Sequence, residues 1–173
     1  EMAAGTYTET TVSQFRMPVT INGNGAVLNF SGSIEWPVTL SGGGEVHNLT
    51  INHSGRGALA VNDSRAVLSG VTLSAGATTA SYGVLRADGG ALFIDGNTTV
   101  NAVAGCVACV VSMSGDLVVL TGTLTLNKPD AGDAAQLWAQ QFFVNSSLST
   151  PGAGKNVLLA LANEVNAPPA NLL

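Results

Sequence analysis

The sequence predicts an all-β chain wound as a parallel β-helix of about five to six rungs, with a repeat of about 26 residues and an irregular C-terminal tail. Three observations predict it. Segments of the chain align with one another at a constant step. Inside each segment, apolar and polar residues alternate with period two. Turn chemistry (glycine, Asn-Asp, Asp-Gly, Ser-Gly) separates the alternating runs, and the repeating unit carries no helical period.

The step comes from three segments that open at Gly57, Gly83 and Cys109. Leu59, Leu85 and Val111 stand 26 apart, as do Val61, Ala87 and Met113, and Gly70, Gly96 and Gly122. Val100 and Leu126 keep that step, whereas Leu73 sits one residue early, which implies a single insertion after Gly96. A shorter echo places a threonine before a branched apolar residue at Thr20, Thr39, Thr50, Thr72, Thr99 and Thr125. Pro18-Val19-Thr20-Ile21 and Pro37-Val38-Thr39-Leu40 are near copies 19 apart.

Each unit reads as strand, polar bend, strand, glycine corner, strand. Ala66-Val67-Leu68 and Leu117-Val118-Val119-Leu120 supply the alternation, and Gly70, Gly96 and Gly122 allow a sharp corner at positive φ. Antiparallel hairpins would need two-residue turns and would not give so uniform a unit. Rungs stacked about 4.8 Å apart make a rod on the order of 30 Å long.

Two regions follow: residues 1–126 as the β-helix, and 127–173 as an irregular rung and tail that offers an oligomer interface. Lys128 to Gly132 reads as a loop. Ala134 to Asn145 reads as a further rung or as a short helix followed by a strand. Lys155 to Val165 reads as helical, because Val157, Leu158, Leu161 and Val165 fall near one face before Pro168-Pro169. The chain starts at Glu1 inside a running motif and ends at Asn171-Leu172-Leu173 without a closing element, the mark of a processed product or of a piece of something longer.

Composition excludes several classes. Of the 173 residues, 46 % are hydrophobic and only 10 % are charged, against about 25 % charged in an average domain. That excludes a charged disordered tail and a coiled coil. Twenty-one glycines without a three-residue period exclude collagen. Six Lys and Arg within a net charge of -5 do not fit a nucleic-acid partner. No run of about 20 apolar residues is present, so no membrane insertion is expected.

The opening Gly5-Thr6-Tyr7-Thr8-Glu9, followed by Pro18-Val19-Thr20-Ile21-Asn22-Gly23-Asn24-Gly25, resembles the first rungs of pectin-lyase-like right-handed β-helices. That superfamily includes pectinesterases, polysaccharide lyases and many phage tail spikes and fibres. The Gly-x-Tyr-x-Glu string matches the first pectinesterase motif, and the rung pattern covers residues 5–126. The resemblance implies the handedness. It does not carry an activity, because the later pectinesterase strings, the polygalacturonase Asn-Thr-Asp and the pectate lyase Trp-x-Asp-His are missing from the sequence.

Among candidate site residues, Asp63, Asp88 and Asp116 come first. In the 26-residue register Asp63 aligns with Gly89, Asp88 sits one place earlier, and Asp116 aligns with Gly90. Three carboxylates gathered at one bend, about 5–8 Å apart, suit glycoside hydrolysis or Ca²⁺. They are also what ordinary turns use, with Arg65 and Arg86 as surface partners. Tyr7, Trp36, Tyr82 and Trp138 are candidate sugar-stacking platforms, Trp36 and Tyr82 foremost, but their positions share no register and Trp138 reads as a packing residue. The threonines, if outward, form a ladder suited to ice or glycan, or simply satisfy β propensity. Cys106-Val107-Ala108-Cys109 lies between strand patterns, which favours a buried cysteine or a small closed loop over thiol chemistry. His47 and His53 are the only histidines and cannot complete a zinc tetrahedron with the cysteines in one monomer, so no metal and no cofactor are expected. Asn-x-Ser/Thr strings at Asn29, Asn48, Asn52, Asn62, Asn97 and Asn145 follow from composition.

The expectation for function is a homotrimeric segment of a phage tail fibre or tail spike in the virion tail. It would be a rigid rod that meets other tail proteins and touches host surface polysaccharide. The alternatives are a polysaccharide depolymerase using the acidic bend, and the stalk of a bacterial surface adhesin.

Overall fold

The computed structural model describes residues 1–32, 35–76, 83–103, 109–128, 137–150 and 159–161. In chain order its strands are β1 (Thr6–Glu9), β2 (Ser13–Phe15), β3 (Val19–Phe30), β4 (Val38–Leu40), β5 (Gly44–His53), β6 (Leu59–Ser69) and β7 (Val71–Ala75). They continue with β8 (Leu85–Asp95), β9 (Thr98–Asn101), β10 (Val110–Thr121), β11 (Thr123–Asn127), β12 (Leu137–Val144), β13 (Ser147–Ser149) and β14 (Leu159–Leu161). Among the described residues every strand pairing is parallel, and partners are one coil apart in sequence. The chain is therefore a parallel β-solenoid of about five turns with a repeat of about 25 residues.

Three ladders run along the rod. The first stacks β2, β4, the opening residues of β6, β8, β10 and β12, and β14. The second stacks the start of β3 and of β5 on the later residues of β6, β8, β10 and β12. The third stacks β1, the ends of β3 and β5, then β7, β9, β11 and β13. β12 and β13 extend the second and third ladders past residue 126. The segment expected to be helical contains β14, a strand at Leu159–Leu161, and its other residues lie outside the described ones.

Alternation decides what enters the core. Leu68, Ile94, Leu117 and Val119 of the second ladder are fully buried, and so are Ile51, Leu73, Val100 and Leu126 of the third. Each such side chain contributes about 1.5–3 kcal/mol. Corners are made by residues that tolerate left-handed backbone. Gly70 and Gly122 turn the chain from the second ladder into the third at φ 65° and 69°, and Asn48 does the same one coil earlier at φ 49°.

The repeat is less uniform than the sequence predicts. The insertion after Gly96 is present, since Val71 pairs with Thr98. Leu85, however, pairs with Val110 and not with Val111, and Val110 is fully buried. The coil is one residue short there, and an irregularity between Val119 and Thr121 restores the step before Gly122. A one-residue deletion and a one-residue bulge thus cancel, which is why the flanking glycines align while the strand between them slides. The two Pro-Val-Thr copies also separate: Val19-Thr20-Ile21 lies in the second ladder and Val38-Thr39-Leu40 in the first.

Candidate functional site

The acidic bend is the first place to look. Asp63 occupies the corner between the first and second ladders at φ 49°, beside Gly89, so its backbone has a turn role. Asp88 stands in β8 opposite Asn62, and its Oδ2 accepts a 2.7 Å bond from Arg86 Nε. Asp88 Oδ1 is buried and finds no hydrogen-bond partner among the described residues. Asp116 falls opposite Ala91, which itself faces Arg65, and not opposite Gly90 as the constant step implied. The slide of β10 moves it out of the corner and into the second ladder. The three carboxylates therefore occupy three different columns of one side of the rod. Arg65 does not neutralise them as a surface partner of Asp63: its guanidinium lies over the Phe93 ring, 4.3 Å from the centroid.

The other candidates spread around the coil. Trp36 is half-buried with its ring against Gly57, where a Cβ would overlap it. Tyr82 and Cys106 lie outside the described residues. Trp138 belongs to β12. Tyr7 Oη donates to the Ala3 carbonyl at 2.9 Å. Cys109 is buried, with Sγ 3.7 Å from the Asn127 carbonyl oxygen. His47 lies 3.1 Å from Glu45, and among the described residues no three His, Cys, Asp or Glu side chains gather as a metal site.

The third ladder carries the most regular polar surface. Thr50, Thr72, Thr99 and Thr125 stand in register on consecutive coils, continued by Ser149. Thr20 and Thr39 lie in other ladders, and Thr39 is 7 % exposed, so the sequence-level column of six is a structural column of four. Two residues along each strand, Asn29, Asn52, Ser74, Asn101 and Asn127 form a second column. Three of its four steps are linked: Asn52 Nδ2 donates to Asn29 Oδ1 at 3.0 Å, Asn101 Nδ2 to Ser74 Oγ at 3.1 Å, and Asn127 Nδ2 to Asn101 Oδ1 at 2.7 Å. Coils about 4.8 Å apart and columns about 7 Å apart set the lattice of this face.

Sequence reasoning missed the asparagine column. Its signal is Thr-x-Asn at Thr50-Ile51-Asn52, Thr99-Val100-Asn101 and Thr125-Leu126-Asn127, with Thr72-Leu73-Ser74 as the variant. Beside it lies a shallow depression of about 360 Å³ lined by Asn29, Phe30, Asn52, His53, Ser74 and Ala75 with Ser54 and Gly76. His53 is 3 % exposed, and its Nδ1 donates to the Gly57 carbonyl at 2.7 Å. That bond pins the next corner, while Nε2 is buried and has no hydrogen-bond partner among the described residues.

Comparison with protein-family models, with curated proteins and with solved structures finds no match to this chain.

Proposed function

We propose that this chain is a rigid rod segment of an extracellular fibre that meets surface polysaccharide along the outer face of its third ladder. The fibre is the tail fibre or tail spike of a phage, with the right-handed coil of the superfamily its opening residues resemble. The observation that carries the reading is the pair of neutral columns, threonine beside asparagine and serine, repeated coil after coil along one ladder. Hydroxyl and amide groups at fixed spacing pair with a polymer of hydroxyl groups, and no fixed charge on the strip has to be desolvated. The adjacent depression adds apolar wall from Phe30 and Ala75, which suits the less polar face of a sugar ring.

The enzymatic reading has less support. Asp63, Asp88 and Asp116 share no column, and Asp88 is engaged by Arg86.

Binding of the chain to a panel of bacterial surface polysaccharides tests the proposal, compared with a variant carrying Thr72→Lys and Thr99→Lys. The expected result is binding to at least one polysaccharide and a loss of at least about tenfold in the variant. Equal binding by variant and parent, or none by the parent across the panel, rejects it. Release of reducing sugar by the parent but not by Asp88→Asn would favour the depolymerase instead.

A further inference from the structure

We propose that the outer face of the second ladder docks a second copy of this chain, running antiparallel to the first. Val67, Phe93, Val118 and Phe143 stand in register on four consecutive coils. Their neighbours Ala66 and Leu68, Leu92 and Ile94, and Leu117 and Val119 are fully buried, so Val67, Phe93 and Val118 point outward. Phe143 is 53 % exposed. A single apolar residue at an outward strand position is ordinary, but an unbroken column of four forms a patch.

The order of sizes along the column selects the partner and its direction. It reads Val, Phe, Val, Phe. A two-fold axis between Phe93 and Val118 sets Val67 of one copy against Phe143 of the other, and Phe93 against Val118. Every ring then meets a small side chain. A copy running in the same direction with its coils level would set ring on ring and valine on valine, and so leave gaps at the valines.

The flanking columns agree with the reversed copy. Arg65, Ala91, Asp116 and Gln141 form one margin. Reversal brings Arg65 opposite Gln141 and one coil from Asp116, and brings Ala91 opposite Asp116. On the other margin Asp95 comes opposite Thr121, the residue whose hydroxyl already donates to Asp95 within one chain at 2.7 Å. Among the described residues no like charges meet, and Glu45, which continues the column past Val67, falls beyond Phe143 of the other copy. Arg65 is held over the Phe93 ring, inside the area the partner covers, so its cation is in place before docking. The pairing uses a different ladder from the polysaccharide face and does not depend on it. It also differs from the three-chain assembly that the resemblance implies.

Sedimentation equilibrium of the 173-residue chain tests it. The expected mass is that of two 17.4 kDa chains. Phe93→Asp should weaken association at least about tenfold with an unchanged circular dichroism spectrum. Val67→Phe should weaken it by setting ring against ring, and adding Phe143→Val to that variant should restore it, because small again faces large. A monomer up to about 100 μM, a mass of three chains, or a double variant no tighter than Val67→Phe overturns the proposal.

Discussion

Leu92 and Ile94 of the second ladder and Leu124 and Leu126 of the third meet in one core and are equally buried. One position out of phase, these strands carry different chemistry: an apolar column of valine and phenylalanine on the second ladder, and hydroxyls and amides on the third. The inward positions are dictated by the coil, because each must fill space against its neighbours above and below. The outward positions are free of that demand. Where they nevertheless repeat from coil to coil, the cause lies outside the core: bonds between coils, as in the asparagine column, or contact with something beyond the rod.

Substitutions at matched positions test this division. The largest effect belongs inside. Leu92→Ala and Leu124→Ala should each cost about 2–5 kcal/mol in urea denaturation, with similar values. A large difference between them would mean the two ladders do not share one core. Next comes the corner that leads from the third ladder back to the first. Gly57→Ala should cost about 1–3 kcal/mol, since Gly57 sits at φ 63° and a Cβ there meets the Trp36 ring. A shift in tryptophan fluorescence should accompany the loss.

The outer faces come after that. Asn101 both donates to Ser74 and accepts from Asn127, so Asn101→Ala should cost about 1–2 kcal/mol. Val118→Thr, at a matched outward site on the second ladder, should cost less than about 1 kcal/mol in chain stability. Equal losses at the two sites would remove the special status of the linked asparagine column. A similarly small effect is expected of Arg65→Ala, about 0.5–1 kcal/mol from the lost contact with Phe93.

The class of fold was legible because its causes are local: alternation in β6 and β10, and glycine at the corners. The insertion at Asn97 was legible for the same reason, since it shifts everything that follows. The slide at Val110 was hidden because its compensation lies within the same coil, near Leu120, so both ends of the alignment still agree. That concealed slide also misplaced Asp116. The asparagine column was concealed differently. Thr and Asn two apart are common in a chain of this composition, and only the step from β5 to β7, which pairs Thr50 with Thr72 and Asn52 with Ser74, makes them neighbours in space. The near-copies at Pro18 and Pro37 show the converse: local likeness gives a strand, but the count of residues per coil decides which ladder it joins.

Because each strand bonds to the coil above and the coil below, the backbone hydrogen bonds point along the rod. Tension between the two ends therefore loads them lengthwise, one coil boundary after another, and does not shear a whole sheet at once. Each boundary that gives way frees about 25 residues, or about 80–90 Å of slack chain. Stretched in this way, the rod should lengthen in a series of equal steps, yielding from an end inward and dissipating the pull a coil at a time.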